Sequence, residues 1–320
     1  MYTIGIDLGG TNIAVGLCDD TLRIIDKGSV PTLGTRPGEE IVADMAKLTE
    51  EIIKRNGLSI EDIEYVGIAT PGTANSKTGV VEYANNLPFK NFPISELFVK
   101  YLPVKRVIID NDANAAALGE ALAGAAKDAN SSVMITLGTG VGGGIILDGK
   151  IFSGGINCSG AELGHTVIAA GGRQCSCGRR GCFEAYSSAT ALTDMTKEKM
   201  RELELKGIDS LLFSEAEKEG KVSARTAFNA ADGGDIYGKE LVNTYIEHLA
   251  IGITNMVNIF QPDIVCIGGG VSAQGESLLL PLVKIVNTEQ YTRDNPTKSK
   301  IVIATLGNDA GIVGAAGLGR

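Results

Sequence analysis

The sequence predicts an α/β protein of two related lobes facing one cleft. First, short apolar runs alternate with stretches of helical spacing. Second, an apolar strand, a Gly/Thr turn and a return strand occur twice, at Ile4–Leu17 and Met134–Leu147. Third, a strand that runs into glycine recurs, at Tyr65–Gly72 and Asp263–Gly270. One such hairpin is common in α/β proteins. Two hairpins and two strand–glycine ends in the same order point to a repeat. A chain of 320 residues suits about two domains or lobes.

Taken in order, Ile4–Leu8 and Ile13–Leu17 are strands around the turn Gly9-Gly10-Thr11-Asn12. A polar stretch with Pro31 and Pro37 follows without an assigned element. Ile41, Met45, Leu48 and Ile52 give Glu39–Asn56 helical spacing, stopped by Gly57. Tyr65–Ala69 and Arg106–Asp110 are strands, and an Ala-rich helix begins at Asp112. After the strand Val133–Leu137 comes a glycine turn, Gly138–Gly144, and the return strand Ile145–Leu147. Residues 187–262 and Ser272–Gln290 are helical, Lys300–Leu306 is a strand, and Asn308–Leu318 is a closing helix. The lobes are expected at 1–112 with about 305–320, and at 113–304.

Composition excludes several classes. The chain has 42 glycines, nearly twice the usual share of about 7%. There are only nine prolines and no third-residue glycine period, so it is neither collagen-like nor low-complexity. The glycines therefore belong to an ordered fold, at turns and where a ligand approaches bare backbone. A net charge of −9 argues against nucleic acid or an anionic membrane as partner. Anionic ligands stay open, because backbone N–H groups hold them without net positive charge. The opening Met1–Asp7 does not read as a signal peptide, and Ala129–Leu147 is too polar and glycine-rich for a membrane span. The expected location is cytoplasmic.

Five groups of residues carry chemistry. The turn Gly9-Gly10-Thr11-Asn12 can present successive N–H groups to phosphate oxygens, with Asp7 placed to hold Mg²⁺ through water. An ordinary hairpin turn explains it equally well. Gly138-Thr139-Gly140 opens a second bare loop and lacks the Walker Lys. Two such loops suit a nucleoside triphosphate. Asn111-Asp112 at a strand end reads as a helix N-cap, or as a general base kept ionised at a helix N-terminus. His165, Cys175, Cys177 and Cys182 form a Cys₃His set suited to structural zinc, against unrelated buried thiols. Glu162 and Glu184, interleaved with them, can accept vicinal sugar hydroxyls or be solvated loop charges. Cys18 and Cys266 read as inert core residues, and His248 as an ordinary surface or core histidine.

Together these motifs resemble the ROK family of repressors, open reading frames and kinases. The resemblance rests on Asp7–Asn12, Asn111-Asp112, Gly138–Gly144, Gly160-x-Glu162-x-Gly164-His165, Cys175-x-Cys177-Gly178-x-x-Gly181-Cys182-x-Glu184 and Ile267–Val271, and runs from residue 4 to about 317. It implies an actin-like (ribonuclease H-like) sugar-kinase fold with mixed sheets. It implies an ATP-dependent bacterial hexose kinase of the Gram-positive type acting on the 6-hydroxyl of glucose, with Mg²⁺ and structural Zn²⁺. Asp112 would be the base. Gly72, Asn111, Glu162, His165, Glu184 and one or both of Asn85 and Asn86 would hold the sugar. Asp7, Gly9, Gly10, Thr11, Asn12, Gly138, Thr139 and Gly140 would serve the phosphates, and Gly269 and Gly270 the adenosine. A homodimer or homotetramer is implied. Other hexoses (fructose, mannose, N-acetylmannosamine, N-acetylglucosamine), polyphosphate as donor, and a non-enzymatic sugar sensor remain as alternatives.

Overall fold

The computed structural model describes all 320 residues, Met1–Arg320. Strands β1 (Tyr2–Leu8) and β2 (Asn12–Cys18) form the first hairpin, and β3 (Ile24–Pro31) pairs with β2. Helix α1 (Gly38–Arg55) follows, then β4 (Ile63–Thr70) and the short β5 (Thr73–Asn75), β6 (Val80–Tyr83) and β7 (Lys90–Phe92). Helix α2 (Ile94–Tyr101) leads to β8 (Val107–Asn111) and α3 (Asp112–Ala123). Next come β9 (Ser132–Leu137), β10 (Val141–Leu147) and β11 (Lys150–Ile151). Five helices succeed them: α4 (Glu184–Ser187), α5 (Ala189–Lys206), α6 (Leu211–Glu219), α7 (Ala224–Asp232) and α8 (Ile236–Phe260). The chain closes with β12 (Ile264–Gly268), α9 (Glu276–Glu289), β13 (Lys300–Ile303) and α10 (Ala310–Gly317). No helix is long and apolar enough to cross a membrane.

The repeat read in the sequence is a repeat of sheet order. One five-stranded sheet runs β3-β2-β1-β4-β8 and the other β11-β10-β9-β12-β13. Antiparallel β1–β2 and β2–β3 join parallel β1–β4 and β4–β8 in the first. The second contains antiparallel β10–β11 and parallel β12–β13, so both sheets are mixed.

Two compact units form. The first comprises Met1–Met134, Gly144–Ala161 and Thr305–Arg320; the second comprises Ile135–Gly143 and Glu162–Ala304. The sequence places the first boundary at Asp112, whereas the first unit keeps α3. The reason is packing: a Cβ at Gly119 of α3 would lie 2.5 Å from the Ala310 carbonyl oxygen of α10. Backbone-to-backbone approach of that kind ties the closing helix to α3 and to the sheet.

In the first unit, α1 packs on β2 and β3, and its Ile41, Met45 and Ile52 share one buried core with Ile13 and Val15 of β2 and Ile4, Ile6 and Ile68 of the central strands. Glu39 and Glu40 begin the helix and Lys54 and Arg55 end it, complementing its dipole. On β3, half-buried and exposed residues alternate, and a charged, exposed edge is how a sheet end avoids further pairing. That polarity is why the segment does not announce itself as a strand. In the second unit, Asp235 caps α8 by accepting the N–H groups of Tyr237 (2.9 Å) and Gly238 (2.8 Å). Gly252 of α8 leaves space that the Phe183 ring occupies.

Candidate active site

The sequence-predicted residues fall into two sets, one on each unit. On the first unit, parallel pairing aligns the carboxyl ends of β1, β4 and β8: Asp7 opposite Ala69, Ala69 opposite Asp110, and Thr70 opposite Asn111. Ligands in α/β sheets bind outside such ends. Asp7, Gly72, Asn111 and Asp112 therefore share one edge.

Asn111 resolves the ambiguity at the start of α3. Its Oδ1 accepts the N–H groups of Ala113 (2.9 Å) and Asn114 (3.3 Å), and its Nδ2 donates to the Gly72 carbonyl at 3.1 Å. The cap is Asn111, and Asp112 is the first helical residue. Asp112 Oδ1 accepts the Ala113 N–H at 2.9 Å. Its charge also reaches Asp7: burial first, and Asp112 second, push the Asp7 carboxyl up to about 6. Sequence reasoning missed Asp110, a buried carboxylate whose Oδ1 accepts the Asn111 N–H (2.7 Å) and Asn114 Nδ2 (2.8 Å). Burial raises its pKa. It secures the strand–helix junction on which Asp112 stands, and its adjacency to Asn111-Asp112 was the available signal.

The β1–β2 turn is held from outside. Gly9 N–H donates to the Asn12 carbonyl at 2.9 Å, Thr32 N–H to that of Thr11 at 2.8 Å, and Thr32 Oγ1 to that of Gly9 at 2.7 Å. Neither Gly9 nor Gly10 has a positive φ. The turn is therefore made without left-handed backbone at either glycine. Gly10 and Thr11 are exposed, as is Asn12 at the start of β2. A Cβ on Gly10 would lie 3.5 Å from Asn86 Cβ, so Asn86 borders the turn; Asn85 is exposed beside it in sequence.

On the second unit, the glycine turn is shorter than expected. β10 begins at Val141, so the loop is Gly138-Thr139-Gly140; Gly143 lies in the strand, where Leu163 leaves no room for a Cβ. The start of α5 clasps the loop: Ala189 N–H donates to the Gly138 carbonyl (2.8 Å) and Thr190 Oγ1 to that of Thr139 (2.7 Å). Three glycines differ in kind. Gly269 has φ +81°, and a Cβ there would sit 2.5 Å from the Leu137 carbonyl oxygen, so the fold itself requires glycine. Gly138 and Gly270 have no positive φ, and a Cβ on either would meet nothing within 4 Å. The fold does not require glycine at those two positions. Thr139 and Gly270 line a cavity of about 590 Å³ with Thr190, Thr193, Lys197 and Arg225. These four are polar positions on α5 and α7, with no motif to betray them.

His165, Cys175, Cys177 and Cys182 converge, all four ligand atoms within 4.8 Å of one another. Cys177 and Cys182 Sγ are 3.7 Å apart, as are Cys175 Sγ and His165 Nδ1. A tetrahedral ion with metal–sulfur bonds of about 2.3 Å sets sulfurs roughly 3.8 Å apart, so the residues fit zinc. No cysteine is in a disulfide. Burial pushes the Cys182 thiol up to about 12, while the Arg179 N–H lowers the pKa of Cys177. Glu184 Oε2 accepts the Val141 N–H at 3.0 Å and Oε1 accepts Ser176 Oγ at 3.1 Å. Glu162 is exposed, and its carbonyl accepts the His165 N–H at 3.1 Å. Among the residues outside the site, Cys18 is buried in β2, Cys266 in β12, and His248 packs on Tyr186 with ring centroids 4.6 Å apart.

The chain belongs to the ROK family, whose model matches residues 3–320. It is 36% identical over 315 residues to a glucokinase of Halalkalibacterium halodurans, covering 98% of this chain and 93% of that one. It is also 36% identical over 318 residues to a glucokinase of Thermotoga maritima, covering 98% and 96%. Among solved structures, a ROK glucokinase from Streptomyces griseus in complex with glucose and AMPPNP aligns with a TM-score of 0.80 at 31% identity, covering 99% of both chains.

Proposed function

We propose that the chain is an ATP-dependent glucokinase that transfers the γ-phosphoryl group to the 6-hydroxyl of glucose. The observation that carries this reading is the shared edge of β1, β4 and β8. It sets a carboxylate at a helix start, Asp112, on the same sheet end as Asp7 and the Gly9-Gly10 turn. Proton removal and phosphate binding are then served from one rigid edge. The near end-to-end similarity to glucokinases supports glucose as the sugar.

Asp112 takes the 6-hydroxyl proton as O6 attacks the γ-phosphorus. The bond from that phosphorus to the β–γ bridging oxygen breaks, and ADP leaves. Asn111 and Gly72, bonded to each other at 3.1 Å, hold the sugar with one or both of Asn85 and Asn86, and with Glu162, His165 and Glu184. Gly9, Gly10, Thr11, Asn12, Gly138, Thr139 and Gly140 meet the phosphates, and Gly269 and Gly270 the adenosine. Asp7 suits Mg²⁺: burial and the Asp112 charge disfavour its ionised form, which a divalent cation offsets. When bound, Mg²⁺ neutralises phosphate charge. Zinc at the Cys₃His set is structural, ordering the loop that carries the sugar-facing side of His165. A coupled assay with ATP across several hexoses tests the reading.

A further inference from the structure

We infer that Ser176 is a positioning residue, whose hydroxyl fixes Glu184 as the link between the cysteine loop and the glycine loop. This rests on the reading of Glu184 as a sugar ligand and of Gly138–Gly140 as a phosphate loop. Ser176 lies between two metal-ligating cysteines, so coordination sets its place. Its Oγ donates to Glu184 Oε1 at 3.1 Å, while Oε2 accepts the Val141 N–H at 3.0 Å. A Cβ at Gly140 would collide with Oε2, so the carboxylate lies directly on the loop. The other partner of Oε1 is Cys175 Sγ at 3.6 Å. A zinc-bound thiolate has no proton to donate, which leaves Ser176 as the donor to Oε1. Each carboxylate oxygen has a second acceptor site, so Glu184 can hold the Ser176 hydroxyl, the Val141 N–H and a sugar hydroxyl together. Sugar affinity and the order of the glycine loop then both depend on one hydroxyl.

The test compares the zinc-loaded full chain with its S176A and S176T variants. The measurements are zinc per chain, glucose Kd by calorimetry, and hydrogen exchange of the segment holding Val141. S176A is expected to keep its zinc, to weaken glucose binding about tenfold, as for loss of a hydrogen bond to a charged group, and to exchange faster at Val141. S176T is expected to restore both. Unchanged glucose affinity and exchange in S176A overturn the inference. So do effects that come with zinc loss or that threonine does not rescue, since those report loop damage. Absence of hexose phosphorylation by the unaltered chain contradicts the kinase reading instead, and the binding and exchange measurements still decide the role of Ser176.

Discussion

Replacing Asp7 by Asn is expected to stabilise the protein near neutral pH while removing its activity. The carboxyl is pushed up to about 6 from 3.8 in the folded state. A shift of roughly 2 units corresponds to about 3 kcal/mol. Between the two values the folded chain binds more protons than the unfolded chain. Folding stability is therefore lost as pH rises from about 4 through about 6, and is flat above that. Asn does not ionise and escapes this loss. The stability gap between Asp7→Asn and the unaltered chain should widen by up to about 3 kcal/mol from pH ~4 to pH ~7. At about 2–4 °C per kcal/mol, that is a Tm gain of up to about 6–12 °C at neutral pH. Because burial is the larger cause and Asp112 the smaller, Asp112→Asn should recover only a minor part of it. Thermal unfolding is followed by circular dichroism across that range, without nucleotide or divalent cation. A gap that does not change with pH, or a variant less stable at neutral pH, refutes the reasoning.

Asp112→Asn should fold normally and bind glucose while losing about 10²–10⁴ in kcat; near-normal turnover removes it as the base. Metal analysis of freshly reduced protein should find one zinc per chain, and its removal by a chelator should abolish glucose binding seen by calorimetry; protein without metal contradicts the Cys₃His assignment. The two kinds of glycine should separate cleanly. Gly138→Ala should leave folding stability within about 0.5 kcal/mol of the starting protein and raise KM for ATP several-fold. Gly269→Ala should cost about 1–3 kcal/mol, because alanine is strained at φ +81°; equal Tm values for the two variants would refute the distinction.

Most of the fold was legible because its central strands are apolar runs that end in glycine. β1, β4, β9 and β12 have that form, whereas β2 and β8 are apolar runs that end next to acidic residues. The misses have physical causes. β3 is an edge strand with an alternating, charged face, and β5 to β7 have three or four residues each, too few for a period to register. The glycine turn was drawn too long because Gly142–Gly144 look like loop, although β10 contains them. In the site, contiguous motifs were readable and tertiary neighbours were not. Thr32 reaches the first turn from just beyond the end of β3, and Ser176 is an ordinary serine until Glu184 folds onto it. Sequence also left Asn111-Asp112 open between cap and base. Only the two N–H groups accepted by Asn111 assign the cap.

The most direct test supplies the purified chain with ATP, Mg²⁺ and, in turn, glucose, mannose, fructose, N-acetylglucosamine and N-acetylmannosamine. ADP release and the phosphorylated sugar are measured together, with Asp112→Asn in parallel. The expected result is one ADP per glucose 6-phosphate, at a kcat of about 1–10³ s⁻¹, with glucose preferred and the variant nearly inactive. Glucose binding with no ADP formed on any of the five sugars would contradict the assignment and make the chain a sugar sensor.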